Sequence, residues 1–284
     1  MVEVLKPGLF TSIQDKGRTG YRRLGVPLSG AMDTVSAAMA NKLLDNSTQA
    51  AVMEFTMMGP RFQFKAPTFI AICGAGFHAT INDVPIELGK ATEISENDVL
   101  KIDHPDSGNY GYLAVLGGFK TEIILGSRSF YNNITKKKRL EKGDVLKFST
   151  TTSKKIVRHA SFSIDEHHFN DEAIEVYPGP EFDLLPKKFQ KIIMDTTLKI
   201  GSQSSRMAYV IEGLEDISAK EIITAPVQPG TVQLTPSGKC VVLMRDAQST
   251  GGYSRILQLT EQAICKLAQK RVGKTVYFKL IEHL

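Results

Sequence analysis

The chain has 284 residues, of which 42% are hydrophobic and 23% charged, and its formal net charge is +5. This length accommodates one large or two ordinary domains, and a core of this size needs no disulfide support. No aromatic residues interleave with the basic run at 136–139, so a solvated loop is favoured there over a nucleic-acid surface. The cysteines are far apart and form no disulfide framework or zinc spacing, and we expect Cys73 and Cys240 to be buried thiols.

The first ten residues lack the basic region and apolar stretch of a signal peptide. No apolar segment approaches the length that crosses a bilayer. We therefore expect a cytoplasmic protein that binds neither membranes nor nucleic acid.

Short runs of β-branched and aromatic residues, bounded by Gly, Pro, Asn or Asp, dominate the sequence and predict strands. In chain order the clearest are 2–5, 51–56, 68–73, 77–81, 110–115, 241–244 and 275–280. Asn82 and Asp83 lie between two such runs and predict a hairpin turn. Two similar segments, beginning at Asp98 and Asp144, each predict a turn that leads into a strand.

Helices are few. Asp33 is predicted to cap a helix that runs to about Leu44, a short helix is expected over 186–194, and apolar residues at helical spacing predict a third over 258–270. Isolated helices among mostly antiparallel strands favour a barrel or sandwich. A polar stretch at 149–171 separates two strand-rich halves and is the predicted domain boundary.

Three motifs suggest chemistry that their context does not support. Residues 74–79 match a dinucleotide fingerprint, but a hairpin is predicted to follow where the pyrophosphate needs a helix. Residues 268–275 resemble a phosphate loop, but a helix precedes them and a strand follows, the reverse of the required order. The pair His167-His168 has no ligand-type neighbour at suitable spacing, and we expect it to be solvent-exposed.

The densest polar cluster lies at 11–33, where Gln, Asp, Arg and Ser alternate with glycines. Glycines recur where a chain turns or approaches a ligand closely, and these polar side chains are suited to a polar substrate. A glycine-rich loop in which Asp15 and Arg18 only pair with each other explains the cluster equally well. On the residues alone, both interpretations stay open.

This cluster resembles the signature of the family of 5-oxoprolinase C subunits, also known as allophanate hydrolase subunit 2 or biotin-dependent carboxyltransferase-like proteins. The resemblance continues in family order through 40–41, 53–54, 59–60, 74–75, 112–118, 125–129, 176–180, 205–213, 230–238 and 246–253. It therefore covers almost the whole chain. Ser205 and Ala208 depart from it, because the family usually has Asp and Gly there.

The resemblance implies a mainly β protein with two cyclophilin-like β-barrel domains and a few helices. With the boundary above, the domains are residues 1–155 and 172–284. It also implies one component of an ATP-dependent 5-oxoprolinase, inactive alone, which converts 5-oxoproline to glutamate together with the 5-oxoprolinase B subunit and a LamB/YcsF-type A subunit. ATP is expected to be bound by, or shared with, a partner.

Two alternatives remain within the resemblance. One is a carboxyltransferase-type component that acts with carboxybiotin on urea or a similar amide; the chain has no Met-Lys-Met site, so biotin is not attached to it. The other is a non-catalytic regulator that binds a kinase-inhibitor partner.

Opening a resonance-stabilised lactam requires fork-shaped cations for anionic groups and a carboxylate that positions water or takes a proton. The predicted catalytic residues are Asp246, Asp15, Glu54 and Arg206. The predicted substrate-binding residues are Gln14, Arg18, Ser29, Asp33, Arg128, Glu212, Gln233, Gln248, Thr250 and Tyr253. No metal site is expected.

We expect segments 14–18, 29–33, 205–212 and 246–253 to converge on one cleft between the two barrels. Arg206 would bind an anion there and Asp246 would act as acid, base or water-positioning group. The alternative is that both residues brace their own turns.

Overall fold

The computed structural model describes residues 1–149, 161–162, 167–214 and 217–281. The chain divides into two units: one comprises Met1–Arg18 and Ser29–Phe169, the other Thr19–Leu28 and Asn170–Leu284. Residues 19–28 thus belong to the second unit. The predicted domains, 1–155 and 172–284, place these residues in the first. Most of the polar stretch in which the boundary was predicted lies outside the described residues.

The first unit is built from eleven strands in two antiparallel sheets. The strands are β1 (Val2–Lys6), β2 (Phe10–Gln14), β3 (Val52–Thr56), β4 (Arg61–Phe64), β5 (Thr68–Gly74), β6 (Phe77–Ile81), β7 (Val84–Ile86), β8 (Ala91–Ile94), β9 (Val99–Pro105), β10 (Tyr110–Val115) and β11 (Val145–Leu146). One sheet has the order β11-β1-β4-β9-β6-β7 and the other β2-β3-β10-β5-β8. A single apolar cluster draws buried side chains from both sheets, so the two sheets share one core.

Two aromatic rings pack against each other in this core. Phe55 on β3 and Phe77 on β6 meet edge to face with ring centroids 4.9 Å apart. Gly111 on β10 lies beside both rings, and a Cβ atom there would come within 2.4 Å of Phe55 Cε2 and 2.8 Å of Phe77 Cε2. A side chain at position 111 is therefore excluded by packing.

One helix lies within the first unit, and a second, very short one lies where the first unit ends. Helix α1 (Thr34–Lys42) packs against β10 and β5, and the Asp33 side chain caps it by accepting hydrogen bonds from the amides of Val35 and Ser36. The predicted cap at Asp33 is confirmed. Helix α2 (His167–Asn170) is a single turn.

The second unit contains a closed barrel of seven strands with the order β12-β19-β16-β17-β14-β13-β20. The strands of this unit are β12 (Ala173–Pro178), β13 (Leu198–Ile200), β14 (Ala208–Glu212), β15 (Ala225–Pro226), β16 (Thr231–Leu234), β17 (Cys240–Leu243), β18 (Thr250–Gly251), β19 (Ser254–Leu259) and β20 (Thr275–Leu280). The barrel closes where β12 pairs with β20, and this is its one parallel pairing among the described residues. Strands β15 and β18 form a small separate sheet.

Helices α3 (Lys187–Asp195) and α4 (Glu261–Ala268) complete the second unit. The short helix predicted over 186–194 is confirmed by α3. The predicted helix over 258–270 is wrong at its start, because Gln258 and Leu259 continue β19 and pair with β12. The helix begins after Thr260, whose hydroxyl accepts a hydrogen bond from the amide of Ala263.

Each of the seven predicted strand runs is a strand in the structure, with ends that agree to within one residue. Asn82 and Asp83 form the predicted hairpin turn with φ of 50° and 66°. Asp98 and Asp144 each accept a hydrogen bond from a backbone amide three residues earlier, which fixes the turn before β9 and before β11. The prediction of a mainly β protein with barrel-like units is confirmed.

Within the described residues, no helix combines the length and apolar character needed to span a membrane.

We expect Gly111→Ala to destabilise the first unit because the added methyl group overlaps both Phe55 and Phe77. Such overpacking costs about 1–3 kcal/mol, measurable as a fall in the free energy of unfolding in urea. The control is Gly252→Ala, where the nearest atom to the new Cβ is 3.4 Å away. Equal stabilities of the two variants would contradict this description of the core.

Candidate functional site

The Asp15 carboxylate is surrounded by hydrogen-bond donors. Its Oδ1 accepts from the hydroxyls of Ser127 (2.6 Å) and Ser129 (2.7 Å) and from the amide of Gly17 (2.8 Å), and its Oδ2 accepts from the amide of Arg128 (2.6 Å). Both carboxylate oxygens are thus engaged by donors from within the chain. The geometry therefore favours Asp15 as the group that fixes the 127–129 loop beside β2, while its catalytic role stays a prediction.

Other predicted residues of the first unit lie in the same buried region. The Arg18 side chain is fully buried and its Nη2 donates to the carbonyl of Ser129. Gln14 Nε2 donates to Ser12 Oγ at 2.9 Å. Among the residues that the structure describes, Gln14 Oε1 and the hydroxyl of Ser29 are buried without a hydrogen-bond partner. Ser29 also has a positive φ of 57°, which is a strained backbone conformation for a residue with a side chain.

A second buried network joins Asp33, Glu54 and Tyr112, all of which have exposures of 1% or less. Glu54 Oε2 accepts from the amide of Met32 at 2.7 Å, and the Tyr112 hydroxyl accepts from the amide of Asp33 at 2.7 Å. Burial, followed by the negative charges of Glu54 and Asp33, raises the pKa of Tyr112 well above its ordinary value. Tyr112 therefore remains a neutral phenol between two carboxylates.

His168 completes this network and corrects a prediction. Its side chain is only 12% exposed, and its Nε2 lies 2.8 Å from Asp33 Oδ2, which also accepts from Ser36 Oγ at 2.6 Å. The expected solvent-exposed histidine pair is thus wrong for His168, while His167 is exposed. The buried Asp33 carboxylate needs a polar partner, and the histidine supplies it.

Cys73 and Cys240 are buried thiols with raised pKa values. Burial raises the pKa of Cys73 to about 12, with a smaller contribution from the charge of Asp33, and burial raises the pKa of Cys240 to about 12. The expectation of buried thiols at both positions is confirmed. Thiols with such pKa values stay protonated near neutral pH.

In the second unit, Arg206 and Asp246 bind each other. Arg206 Nε donates to Asp246 Oδ2 at 2.8 Å and Nη2 donates to Oδ1 at 3.0 Å, in side chains only 9% and 14% exposed. The amide of Asp246 also donates to the Arg206 carbonyl at 2.9 Å. This bidentate pair occupies the guanidinium face that was predicted to hold a ligand anion, so the geometry favours the bracing alternative.

The remaining predicted residues of the second unit are distributed around β14, β16 and β18. Gln233 is buried on β16, and its Nε2 donates to the Tyr253 carbonyl at 3.3 Å. Glu212 ends β14, and Thr250 begins β18. The Tyr253 side chain is 39% exposed, and Gln248 has a buried Oε1 without a partner among the described residues.

A cleft of about 510 Å³ opens in the second unit. Its walls combine prolines and aliphatic side chains with three arginines and several hydroxyl and amide groups. The lining residues are Arg22, Arg23, Pro178, Gly179, Pro180, Pro226, Val227, Gln228, Thr231, Ser249, Thr250, Arg255, Leu257 and Gln258. Of the predicted site residues only Thr250 lines it, and the backbone carbonyl of Gln248 lies 3.4 Å from Arg22 Nη2.

Sequence reasoning missed Arg22, Arg23 and Arg255. The adjacent pair Arg22-Arg23 within the glycine-rich cluster was the available signal for two of them. The sequence gives no such signal for Arg255, because the residue that it pairs with, Glu181, is distant in the sequence. Arg255 Nη2 and Nε donate to the two carboxylate oxygens of Glu181 at 2.7 and 2.9 Å. The hydrogen bond from Arg255, opposed in part by burial, holds the pKa of Glu181 below its ordinary value.

Segments 14–18 and 29–33 belong to the first unit, and segments 205–212 and 246–253 to the second. Their convergence on one cleft stays a prediction.

Neither glycine-rich motif suits a nucleotide: residues 74–79 run from β5 into β6, and the turn at 271–274 lies between α4 and β20. Within the described ranges, no three His, Cys, Asp or Glu side chains gather closely enough to bind a metal ion.

Comparison with known proteins links both units to one family. Residues 24–280 match the family described as carboxyltransferase domain, subdomain A and B. The chain is 30% identical to the C subunit of 5-oxoprolinase from Escherichia coli over 98% of its own length and 90% of that protein. It is 31% identical to the C subunit of 5-oxoprolinase from Haemophilus influenzae, over 99% of its length and 91% of that protein.

Two solved structures are similar over nearly the whole chain. The crystal structure of TTHA0988 superposes with a TM-score of 0.88 at 28% identity, and covers 98% of this chain, which spans 55% of that one. The K. lactis urea amidolyase superposes with a TM-score of 0.87 at 27% identity, over 99% of this chain and 19% of the larger enzyme. The fold of both units therefore recurs inside larger proteins.

We expect Arg206→Gln to lower the free energy of unfolding by about 3 kcal/mol, because it leaves the nearly buried Asp246 carboxylate unpaired. Arg206→Lys should cost about 1–2 kcal/mol, since an ammonium cannot make both bonds. A urea-denaturation double-mutant cycle with Asp246→Asn measures the coupling.

Lys187→Gln is the control, since its pair with Asp183 is exposed and contributes little. A loss of ligand binding at unchanged stability would instead support the predicted ligand role of Arg206.

The Glu181–Arg255 pair predicts a pH dependence. Because the pKa of Glu181 is lowered in the folded protein, its contribution to stability is present above the ordinary glutamate pKa and is lost as the pH falls through the lowered value. The difference in unfolding free energy between the wild type and Glu181→Gln should therefore be largest near pH 7 and shrink below about pH 4. Glu221→Gln, at an exposed position, controls for the loss of one charge. A difference that is constant with pH would show that the ion pair does not cause it.

Proposed function

Because the chain belongs to the family of carboxyltransferase domains with subdomains A and B, we propose that it is the C-type component of an ATP-dependent 5-oxoprolinase. The observation that carries this proposal is the extent of the similarity to two bacterial 5-oxoprolinase C subunits, which includes at least 98% of this chain and 90% of each relative. The urea amidolyase of Lachancea kluyveri, by contrast, matches only 45% of this chain at 42% identity. Sequence similarity that extends over both units favours the activity named for the C subunits.

In this proposal the chain contributes to a site that other subunits complete. Neither glycine-rich motif presents a helix N-terminus to a phosphate, so ATP would be bound by a B subunit or a LamB/YcsF-type A subunit. This chain would bind and orient the lactam. In the first unit, the buried Asp33 and Glu54 carboxylates would hold the backbone at 32–36 in place through its amides.

A second candidate function is transfer of a carboxyl group from carboxybiotin to urea or a similar amide. The family description and the superposition on urea amidolyase favour it. The carboxybiotin would be a substrate delivered by another protein, since this sequence has no Met-Lys-Met site.

Reconstitution tests the leading proposal. The purified chain is mixed with candidate A and B subunits, and glutamate formation and ATP hydrolysis are measured with 5-oxoproline. We expect turnover only when all three are present, and no activity from this chain alone.

Each of the three proteins is omitted in turn as a control, and carboxyl transfer from carboxybiotin to urea is measured in parallel. Transfer to urea without glutamate formation would replace the leading proposal by the second. Tight binding to the B subunit without either reaction would favour the regulator instead.

A further inference from the structure

We propose that the cleft of the second unit binds a small organic carboxylate, with Arg22 as its counter-cation. Naming 5-oxoproline as the probe rests on the proposed function, whereas the binding of a carboxylate rests on the cleft itself. Three observations support the site: the charge environment of Arg22, the apolar lining of the cleft, and a second cation at its rim.

Arg22 is a partly buried cation whose polar neighbours are neutral. Its Nη2 donates to the carbonyls of Val227 and Gln248, and its Nη1 is buried without a partner among the described residues. No carboxylate lies within ion-pair distance of it in the described part of the chain. Burial accordingly lowers the pKa of Arg22.

Three other arginines of the second unit each form an ion pair with a carboxylate. Arg255 pairs with Glu181, Arg206 with Asp246 and Arg245 with Glu261, each through two guanidinium nitrogens. A cation that is withdrawn from water is costly unless an anion compensates it. Arg22 departs from this pattern in the wall of a cleft, where a ligand anion would supply the missing charge.

The lining of the cleft suits a small ligand that is mostly apolar and has few polar groups. Pro178, Pro180 and Pro226 contribute flat apolar walls and have no amide hydrogen to donate, and Leu257 adds an aliphatic side chain. Phosphate sites commonly use several convergent amide donors, and the three prolines contribute none. A singly charged carboxylate on a small ring or aliphatic chain therefore fits better than a phosphate.

Arg23 and two hydroxyl-bearing residues complete the site. Arg23 is exposed, lines the cleft and forms no ion pair with a described residue, so it can attract an anion toward Arg22. Ser249 and Thr250 line the cleft and offer hydroxyl groups to a second polar atom of the ligand. The volume of about 510 Å³ is in the range of small-molecule sites.

The test is direct binding to the chain alone, measured by calorimetry and by the rise in melting temperature that a ligand of the folded state produces. The probes are 5-oxoproline, the neutral lactam 2-pyrrolidone and inorganic phosphate. We expect 5-oxoproline to bind at least about tenfold more tightly than either other probe, because only it combines a ring with a single carboxylate.

Arg22→Gln should weaken binding of 5-oxoproline by at least about tenfold, whereas Arg139→Gln, the same change at an exposed position in the first unit, should leave it unchanged. Arg23→Gln should weaken binding less and mainly at low salt. If Arg22→Gln fails to fold, Thr250→Trp provides the second test, since a bulky side chain on the cleft wall should exclude the ligand.

Equal binding of 2-pyrrolidone, tighter binding of phosphate, full affinity in Arg22→Gln or in Thr250→Trp, or no binding of 5-oxoproline would each overturn the proposal. The measurement uses neither partner proteins nor ATP. Turnover in the reconstituted enzyme without binding here would therefore reject the cleft and keep the function, and the converse result would keep the carboxylate site and reject the function.

Discussion

Charge that folding withdraws from water must be balanced at short range, and this constraint governs the polar interior of both units. The carboxylate of Asp15 is balanced by hydroxyls and amides, and that of Asp33 by the first turn of α1 and by His168. In the barrel, guanidinium groups and carboxylates balance each other in bidentate pairs, as in Arg206 and Asp246. These matched groups fix turns and strand ends. Arg22 differs from these paired arginines of the barrel unit, since its neighbours are carbonyl oxygens, and a ligand anion would gain from binding to such a cation.

The same constraint separates bracing residues from residues available to a substrate. A polar side chain in a turn-rich motif has the composition expected of a catalytic group, yet Asp15, Arg206 and Asp246 use their hydrogen-bonding capacity within the chain. The polar residues of the cleft come partly from the same motifs, such as Arg22 and Arg23, and partly from strands and loops far apart in the chain. Motif density thus marks where the backbone needs support as much as where chemistry takes place.

Much of the fold was predictable because it follows from local patterns. Runs of β-branched and aromatic residues indicated strands, Asn82 and Asp83 a hairpin, and Asp33 a helix cap. The start of α4 was not found from periodicity because Leu259 fits both a helical face and the barrel, and its pairing with β12 decides between them. His168 was not found because its partner Asp33 is distant in sequence, and no spacing rule connects two residues that meet only through tertiary structure.

The membership of residues 19–28 in the second unit has a consequence for how the chain acquires its structure. Arg22 leaves the ribosome long before Val227 and Gln248, whose carbonyls it contacts. Its final environment therefore cannot form until the barrel strands have been synthesised. Contacts so remote in sequence close a large loop, which slows folding more than it changes the stability reached at the end. The second unit therefore cannot be excised as one contiguous piece: a fragment beginning at Asn170 would lack Arg22, the cation in the wall of its own cleft.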